Sequence, residues 1–238
     1  MPGPLVPPTA VRIAGFLAAL AVSLLPIVGP AQTPPPETPA ILSEICNDEY
    51  QAVRNYRAFA KKALEEDHPA VAHFFDALAS SETIHARNFL QLLRKMNLSP
   101  EPLAAEPKVQ STRKNLRFAL DVELREIDTK YPGYIARLKR ENQEEAVKVV
   151  TWSWESEKQH RDLIKQLEMG TGIFFGVLSS TLESRHVRWF ICQVCGSTYV
   201  QMPEGVCPIC LSDSSNYREV PPPPYTKKRP AGPETDEP

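Results

Sequence analysis

Little of this sequence is basic in a run. Lys227-Lys228-Arg229 is its longest cluster of positive charge, and it lies in a proline-rich tail. Across 238 residues, 27 Lys and Arg stand against 29 Asp and Glu, for a net charge of −2. That balance gives no electrostatic footprint for a nucleic acid, and the three tail charges read as a solvated segment. No apolar run reaches the roughly 20 residues that a membrane-spanning helix needs. The longest, Ile13 to Val28, is interrupted by Gly15, Ser23 and Pro26. There is no twin-arginine pair, and only five cysteines are present.

What is there begins with that short run. Arg12 precedes it, and the small residues Gly29 and Ala31 follow it. A positive start, a short apolar core and a small-x-small exit predict a secretory signal peptide over 1–31, cleaved after Ala31. The rival reading is an uncleaved N-terminal anchor. Cleavage would leave an exported, periplasmic protein with no attachment to the membrane. Cys46 lies too far beyond the run to be a lipidation cysteine and reads as a partly buried free thiol. Proline-rich stretches at 32–40 and 221–238 are too poor in apolar surface to fold, and they read as a linker and a tail.

Residues 41–169 carry helical periodicity. Ile45, Tyr50, Val53 and Tyr56 to Ala60 are spaced for one buried face. The first helix should end near Asp67, because Pro69 starts a helix well and continues one badly. The second runs to Met96, and residues 97–107 form a crossover. The third starts near Ser111 or Thr112, with a kink expected at Pro132. The chain turns around Arg140 to Asn142. The fourth helix runs to Met169, where Gly170 suits a C-terminal cap. The expected fold is an all-α four-helix bundle followed by a small cysteine module.

The two helical hairpins repeat one another. Glu49 is followed 33 residues later by Glu82 and then His85; Glu123 is followed 34 residues later by Glu157 and then His160. Positions i and i+3 share a helix face, so each Glu-x-x-His aims a carboxylate and an imidazole at one point. One Glu plus one Glu-x-x-His per hairpin is the ligand plan of a di-iron carboxylate site in a bundle core. Such charges would be very costly to bury without a metal. The Glu-x-x-His string alone carries little weight. Glu65 with His68 falls at a turn, Glu183 with His186 lies after the bundle, and His73 reads as an ordinary core or surface histidine. The repeat breaks at Glu126, whose counterpart is Ala52. That makes five Glu and two His, one carboxylate beyond a symmetric set, and a spare ligand suggests a metal that changes partners.

Cys192-Gln-Val-Cys195 and Cys207-Pro-Ile-Cys210 are paired knuckles eleven residues apart. They predict a tetrahedral four-sulfur metal site, holding iron as an electron carrier or zinc as a structural ion. Trp189, Phe190 and Tyr199 are the expected aromatic core of this module, at 189–220 after a linker at 170–188. Thr171 to Leu182 is apolar enough to pack on the bundle or on a partner subunit.

With these strings in place, the chain resembles rubrerythrin from about Ile41 to Val220. The match runs through Glu49-Tyr50-Gln51-Ala52 with Tyr56, Glu82-Thr83-Ile84-His85-Ala86, Glu123-Leu124-Arg125-Glu126 with Tyr131-Pro132, Glu157-Lys158-Gln159-His160, and both knuckles. The resemblance implies a ferritin-like bundle with a rubredoxin-like module. It implies a peroxidase of the NADH-linked type that reduces hydrogen peroxide to water, with electrons passing from the four-cysteine iron to the di-iron site. It implies a head-to-tail homodimer and an electron donor that the chain does not name. Carried over, Glu49, Glu82, Glu123, Glu126, Glu157, His85 and His160 would hold two irons. His85 and Glu126 would exchange on one of them, and Tyr56 and Tyr131 would hydrogen-bond ligand carboxylates. Export and Leu211, where many rubredoxins have Gly, depart from the family pattern. Two other functions stay open: a ferroxidase or oxidase of the ferritin-like class, and a non-catalytic metal-binding or redox-sensing protein.

Overall fold

A computed structural model describes residues 36–99, 101, 103–169 and 187–224, with Met1 and Gly3. The expected signal peptide, the apolar segment at Thr171 to Leu182, the pair Glu183 and His186, and all of the tail beyond residue 224 lie outside these residues. Among the described residues no helix is long and apolar enough to cross a membrane.

Helix α1 spans Thr38–Glu65 and α2 spans Pro69–Lys95. Each has a proline in its first turn, Pro39 in α1 and Pro69 in α2, where the missing N–H costs nothing. Asp67, with φ of 61°, turns the chain between them. The segment after α2 crosses back along α1, held by Gln51, which accepts from Ala105 N–H at 2.6 Å and donates to its carbonyl at 3.2 Å. Helix α3 covers Thr112–Arg125. A five-residue π-turn, Glu126–Lys130, then leads into α4 at Tyr131–Arg140, and α5 covers Glu144–Met169. The kink expected at Pro132 is thus a change of helical register just ahead of it.

The bundle core is two apolar layers with a charged layer between them. One layer gathers Phe59 from α1, Phe74, Phe75 and Leu78 from α2, Leu116 from α3 and Ile164 from α5. The other gathers Leu42, Phe89, Leu93, Leu138 and Val150. On each helix the ligand residues fall between the two apolar groups. The antiparallel hairpins therefore bring Glu49, Glu82, Glu123 and Glu157 to one level.

The cysteine module is a three-stranded antiparallel sheet: β1 Trp189–Cys192, β2 Thr198–Tyr199 and β3 Tyr217–Val220, in the order β2-β1-β3. Phe190 pairs with Tyr199, and Cys192 with Tyr217. One sequence expectation is corrected here. Trp189 does not serve the module's own core; its ring lies 5.2 Å from Phe74 and joins the bundle's apolar layer. Tyr217 takes the place inside the module, 5.8 Å from the Tyr199 ring.

Candidate metal centres

Six of the seven expected bundle ligands converge. Glu49, Glu82, His85 and Glu157 offer ligand atoms within 4.8 Å of one another, as do Glu82, Glu123, Glu157 and His160. Glu82 and Glu157 belong to both groups, so each can bridge two metals. All six residues are buried, none more than 4% exposed. His85 Nδ1 lies 2.8 Å from Glu82 Oε2 and 2.9 Å from Glu157 Oε1. His160 Nδ1 lies 2.9 Å from Glu157 Oε2 and 3.1 Å from Glu82 Oε1. A metal with ligands at about 2.1 Å and near-right angles between them needs edges of about 3 Å, so the spacing fits.

The tautomers point the same way. Thr198 Oγ1 donates to the Gly196 carbonyl and so accepts from His160 Nε2–H, at 3.2 Å. His85 Nε2–H donates to the Cys195 carbonyl at 3.0 Å. With a proton fixed on each outer nitrogen, Nδ1 of each ring is the atom that faces the carboxylate oxygens and the one left to bind a metal. Glu82 Oε1, Glu123 Oε2 and Glu157 Oε1 are buried without a hydrogen bond. So many carboxylate oxygens in a dry core call for cations, protons on Nδ1 in the bare site or metals in their place.

Electrostatics agree. Burial raises Glu49 and Glu123 well above the usual carboxylate range. Burial, with the charges of Glu157 and Asp48, pushes Glu126 up to about 8. Burial alone would depress His160, but Glu82 and Glu157 outweigh it and raise it to about 9. Tyr56 donates to Glu123 Oε1 at 2.7 Å, and Tyr131 donates to Glu49 Oε1 at 2.9 Å, the contacts the resemblance implied.

Glu126 stands apart. It belongs to neither group, and its side chain is 20% exposed, 3.8 Å from Lys130 Nζ. With His85 inside and Glu126 outside, the arrangement is one of the two that an exchanging pair would adopt. Cys46 is buried one turn before Glu49 on α1 and belongs to neither metal group. Its thiol lies 3.7 Å from the Ala86 carbonyl, and burial pushes it up to about 11, so it stays protonated.

In the module the four thiols form one group. Cys195 and Cys207 are 3.6 Å apart, and Cys192 and Cys210 are 3.7 Å apart. A metal 2.3 Å from four tetrahedral sulfurs requires edges of about 3.8 Å, so these cysteines fit a metal and make no disulfide. The Ser197 hydroxyl lies 3.3 Å from Cys207 Sγ, and the Ser212 hydroxyl 3.1 Å from Cys210 Sγ. Hydroxyls at the sulfurs tune the potential of a bound iron.

Sequence reasoning missed how the two centres meet. Ser81 on α2 donates to the Gly196 carbonyl at 2.5 Å, and Asn88 donates to Val194 at 2.8 Å. His73, read as an ordinary histidine, donates from Nε2 to the Val220 carbonyl at 2.8 Å and so fastens β3 to α2. Gly196 has φ of 85°, and a Cβ there would overlap His85 Nε2 and come within 2.6 Å of its Cδ2. The glycine that shapes the knuckle's turn thus also lets the knuckle lie against a metal ligand.

A family model described as Rubrerythrin matches residues 40–168. Rubrerythrin-2 of Clostridium acetobutylicum is 29% identical over 167 residues, covering 68% of this chain and 85% of that protein. Nigerythrin of Nitratidesulfovibrio vulgaris is 26% identical over 163 residues, covering 68% and 76%. The solved structure of fully reduced, all-ferrous nigerythrin superposes with a TM-score of 0.65 at 24% identity, covering 81% of this chain and 91% of that one. A Desulfovibrio desulfuricans bacterioferritin shares the bundle fold, with a TM-score of 0.55 at 14% identity over 61% and 86%. The metals that fit these donor sets are two irons in the bundle and one in the module. With more than half of its length matched by that family model, the chain belongs to the rubrerythrin family.

Proposed function

We propose that this protein reduces hydrogen peroxide to water, with electrons entering at the four-cysteine module and leaving through the bundle site. Hydrogen peroxide takes up two electrons and two protons, its O–O bond breaks, and two waters form. When bound, the iron pair supplies the two electrons for that cleavage, and the module's iron replaces them one at a time. Glu82 and Glu157 hold the two metal positions at a common distance by belonging to both. Tyr56 and Tyr131 fix the carboxylates of Glu123 and Glu49. The dry apolar layers on either side keep bulk water from the reacting atoms.

The observation that carries this reading is the hydrogen bond from His85 to the Cys195 carbonyl. It ties a bundle ligand to the backbone of a module ligand and gives a short bonded route between the centres. The test is Cys192→Ser in the full chain. Single-turnover oxidation of the ferrous bundle by peroxide should persist, while steady-state reduction should fall at least about a hundredfold, a loss equal to roughly 2.7 kcal/mol. Steady-state rates equal to the unaltered protein's would overturn the scheme. Faster oxidation by dioxygen than by peroxide would favour the ferroxidase reading instead. The proposal includes a homodimer. Mixing the Cys192→Ser chain with a Glu157→Ala chain should restore turnover if electrons cross between subunits; without restoration, transfer stays within a chain.

Export is also part of the proposal, supported by the charge and apolar pattern at residues 12–31. The mature protein recovered from the periplasm should begin at Gln32. A mature chain that retains Arg12 would point to the anchor.

A further inference from the structure

A small recess runs from the surface toward the bundle site between α1 and the π-turn. Asp48, Glu49, Glu126, Lys130 and Tyr131 line it. Glu49 forms its inner end as a member of the metal group. Lys130 and Asp48 stand nearer the solvent, with side chains 30% and 36% exposed and an Nζ to Oδ2 distance of 2.5 Å. The same Nζ lies 3.8 Å from Glu126 Oε1. Glu126 and Lys130 are the two ends of the π-turn, whose backbone closes with Tyr131 N–H donating to the Glu126 carbonyl.

Of the seven expected bundle ligands, the one outside both metal groups is therefore also the one that lies within 4 Å of a lysine. That cation is anchored on another helix. Lys130 is the more exposed of the pair, at 30% against 20% for Glu126. Its attraction opposes any swing of Glu126 inward, and Asp48 keeps the ammonium in place.

We propose that Lys130 is a positioning residue, an Asp48-anchored latch that holds the Glu126 carboxylate outside the bundle metal site until bound metal draws it in. The proposal rests on reading Glu126 as the movable ligand. It does not depend on which oxidant the centre meets, so a failure of the peroxidase reading leaves it standing.

A partly exposed ion pair changes an equilibrium by a small factor, because solvent screens it. The expected effect is accordingly modest and has to be separated from the general field of a nearby cation. A double-mutant cycle does this. Cobalt(II) affinity of the bundle site is measured at pH 8.5, where Glu126 is ionised, on the full chain with zinc already in the cysteine module, for the unaltered protein, Lys130→Met, Glu126→Ala and the double variant. Lys130→Met should tighten cobalt binding about two- to five-fold when Glu126 is present and change nothing when position 126 is alanine. Lys130→Arg, which keeps the charge, should retain the unaltered affinity, and Lys130→Gln repeats the test with a polar side chain. An equal tightening in both backgrounds would assign the effect to the field alone and overturn the latch. No change with Glu126 present would overturn it as well.

Discussion

Leu211 sits one residue past the second knuckle with φ of 62°, a left-handed backbone. There a Cβ crowds the following carbonyl, at a cost of roughly 1–2 kcal/mol that glycine escapes. The side chain repays none of this by burial, since it is 72% exposed. Leu211→Gly should therefore stabilise the metal-loaded module by about 1 kcal/mol, read as a higher denaturant midpoint with an unchanged slope. An unchanged or lower midpoint would mean that Leu211 makes a contact outside the described residues. The departure at position 211 is legible in the sequence, because a glycine is expected after the knuckle. The ligands are legible for a similar reason: the i, i+3 spacing of Glu82 with His85 and Glu157 with His160 is local geometry. Lys130 is not legible. It lies four positions after Glu126, a spacing that on any helix surface reads as an ordinary ion pair. Its significance comes from the Asp48 anchor on α1 and from the recess, both tertiary.

At the scale of elements, helix extents were readable because prolines and turn residues mark them. The break between α1 and α2 falls just before Pro69, and the turn after α4 falls at Asn142, with φ of 56°. The π-turn was only half readable. Pro132 has no N–H to donate back into the helix, so the sequence announces a disturbance near it but not which kind. A π-turn widens the backbone by one residue and leaves a carbonyl without its usual partner. Here Trp154 on α5 supplies one, donating from Nε1 to the Ile127 carbonyl at 3.0 Å, while Lys158 lies over the Trp154 ring at 3.5 Å. The irregular turn is thus held from the facing helix as well as by Lys130 and Asp48 from α1. Its position, beginning at Glu126, puts the irregular part of the third helix under the carboxylate that stands outside the metal groups. Trp189 was misread for an equally physical reason. An aromatic at the first position of a strand can face either its own small sheet or a neighbour, and only the docking of β1 on Phe74 decides.

At the scale of the whole molecule, bundle and module were each legible, but their mutual placement was not. It depends on backbone carbonyls of Cys195, Gly196 and Val220, which carry no sequence signature. What the whole molecule stores is a dense set of buried carboxylates whose stability depends on what neutralises them. Without metal, burial raises Glu49, Glu123 and Glu126, Glu126 to about 8, above the value of 4.5 expected when unfolded. Between about pH 5 and 8 the folded apo site then holds protons that the unfolded chain has released. Stability falls as pH rises wherever the native state binds more protons, so these three groups destabilise the apo fold across that window. His160 acts with the same sign, because it is raised to about 9 and its contribution is lost as pH climbs toward that value. Glu157, depressed by the two histidines despite its burial, is ionised in both states above pH 5 and adds a constant. Bound metal takes the place of these protons and removes the slope. Bundle-apo protein with its cysteine module still filled should therefore lose stability from pH 5 to pH 8, by an amount on the order of a few kcal/mol. Iron-loaded protein should stay nearly flat over the same range. The gap between the two, measured by denaturant unfolding at fixed salt, should widen as pH rises. Parallel curves would mean that the buried carboxylates find compensation without a metal, and the electrostatic case for the bundle centre would fail with them.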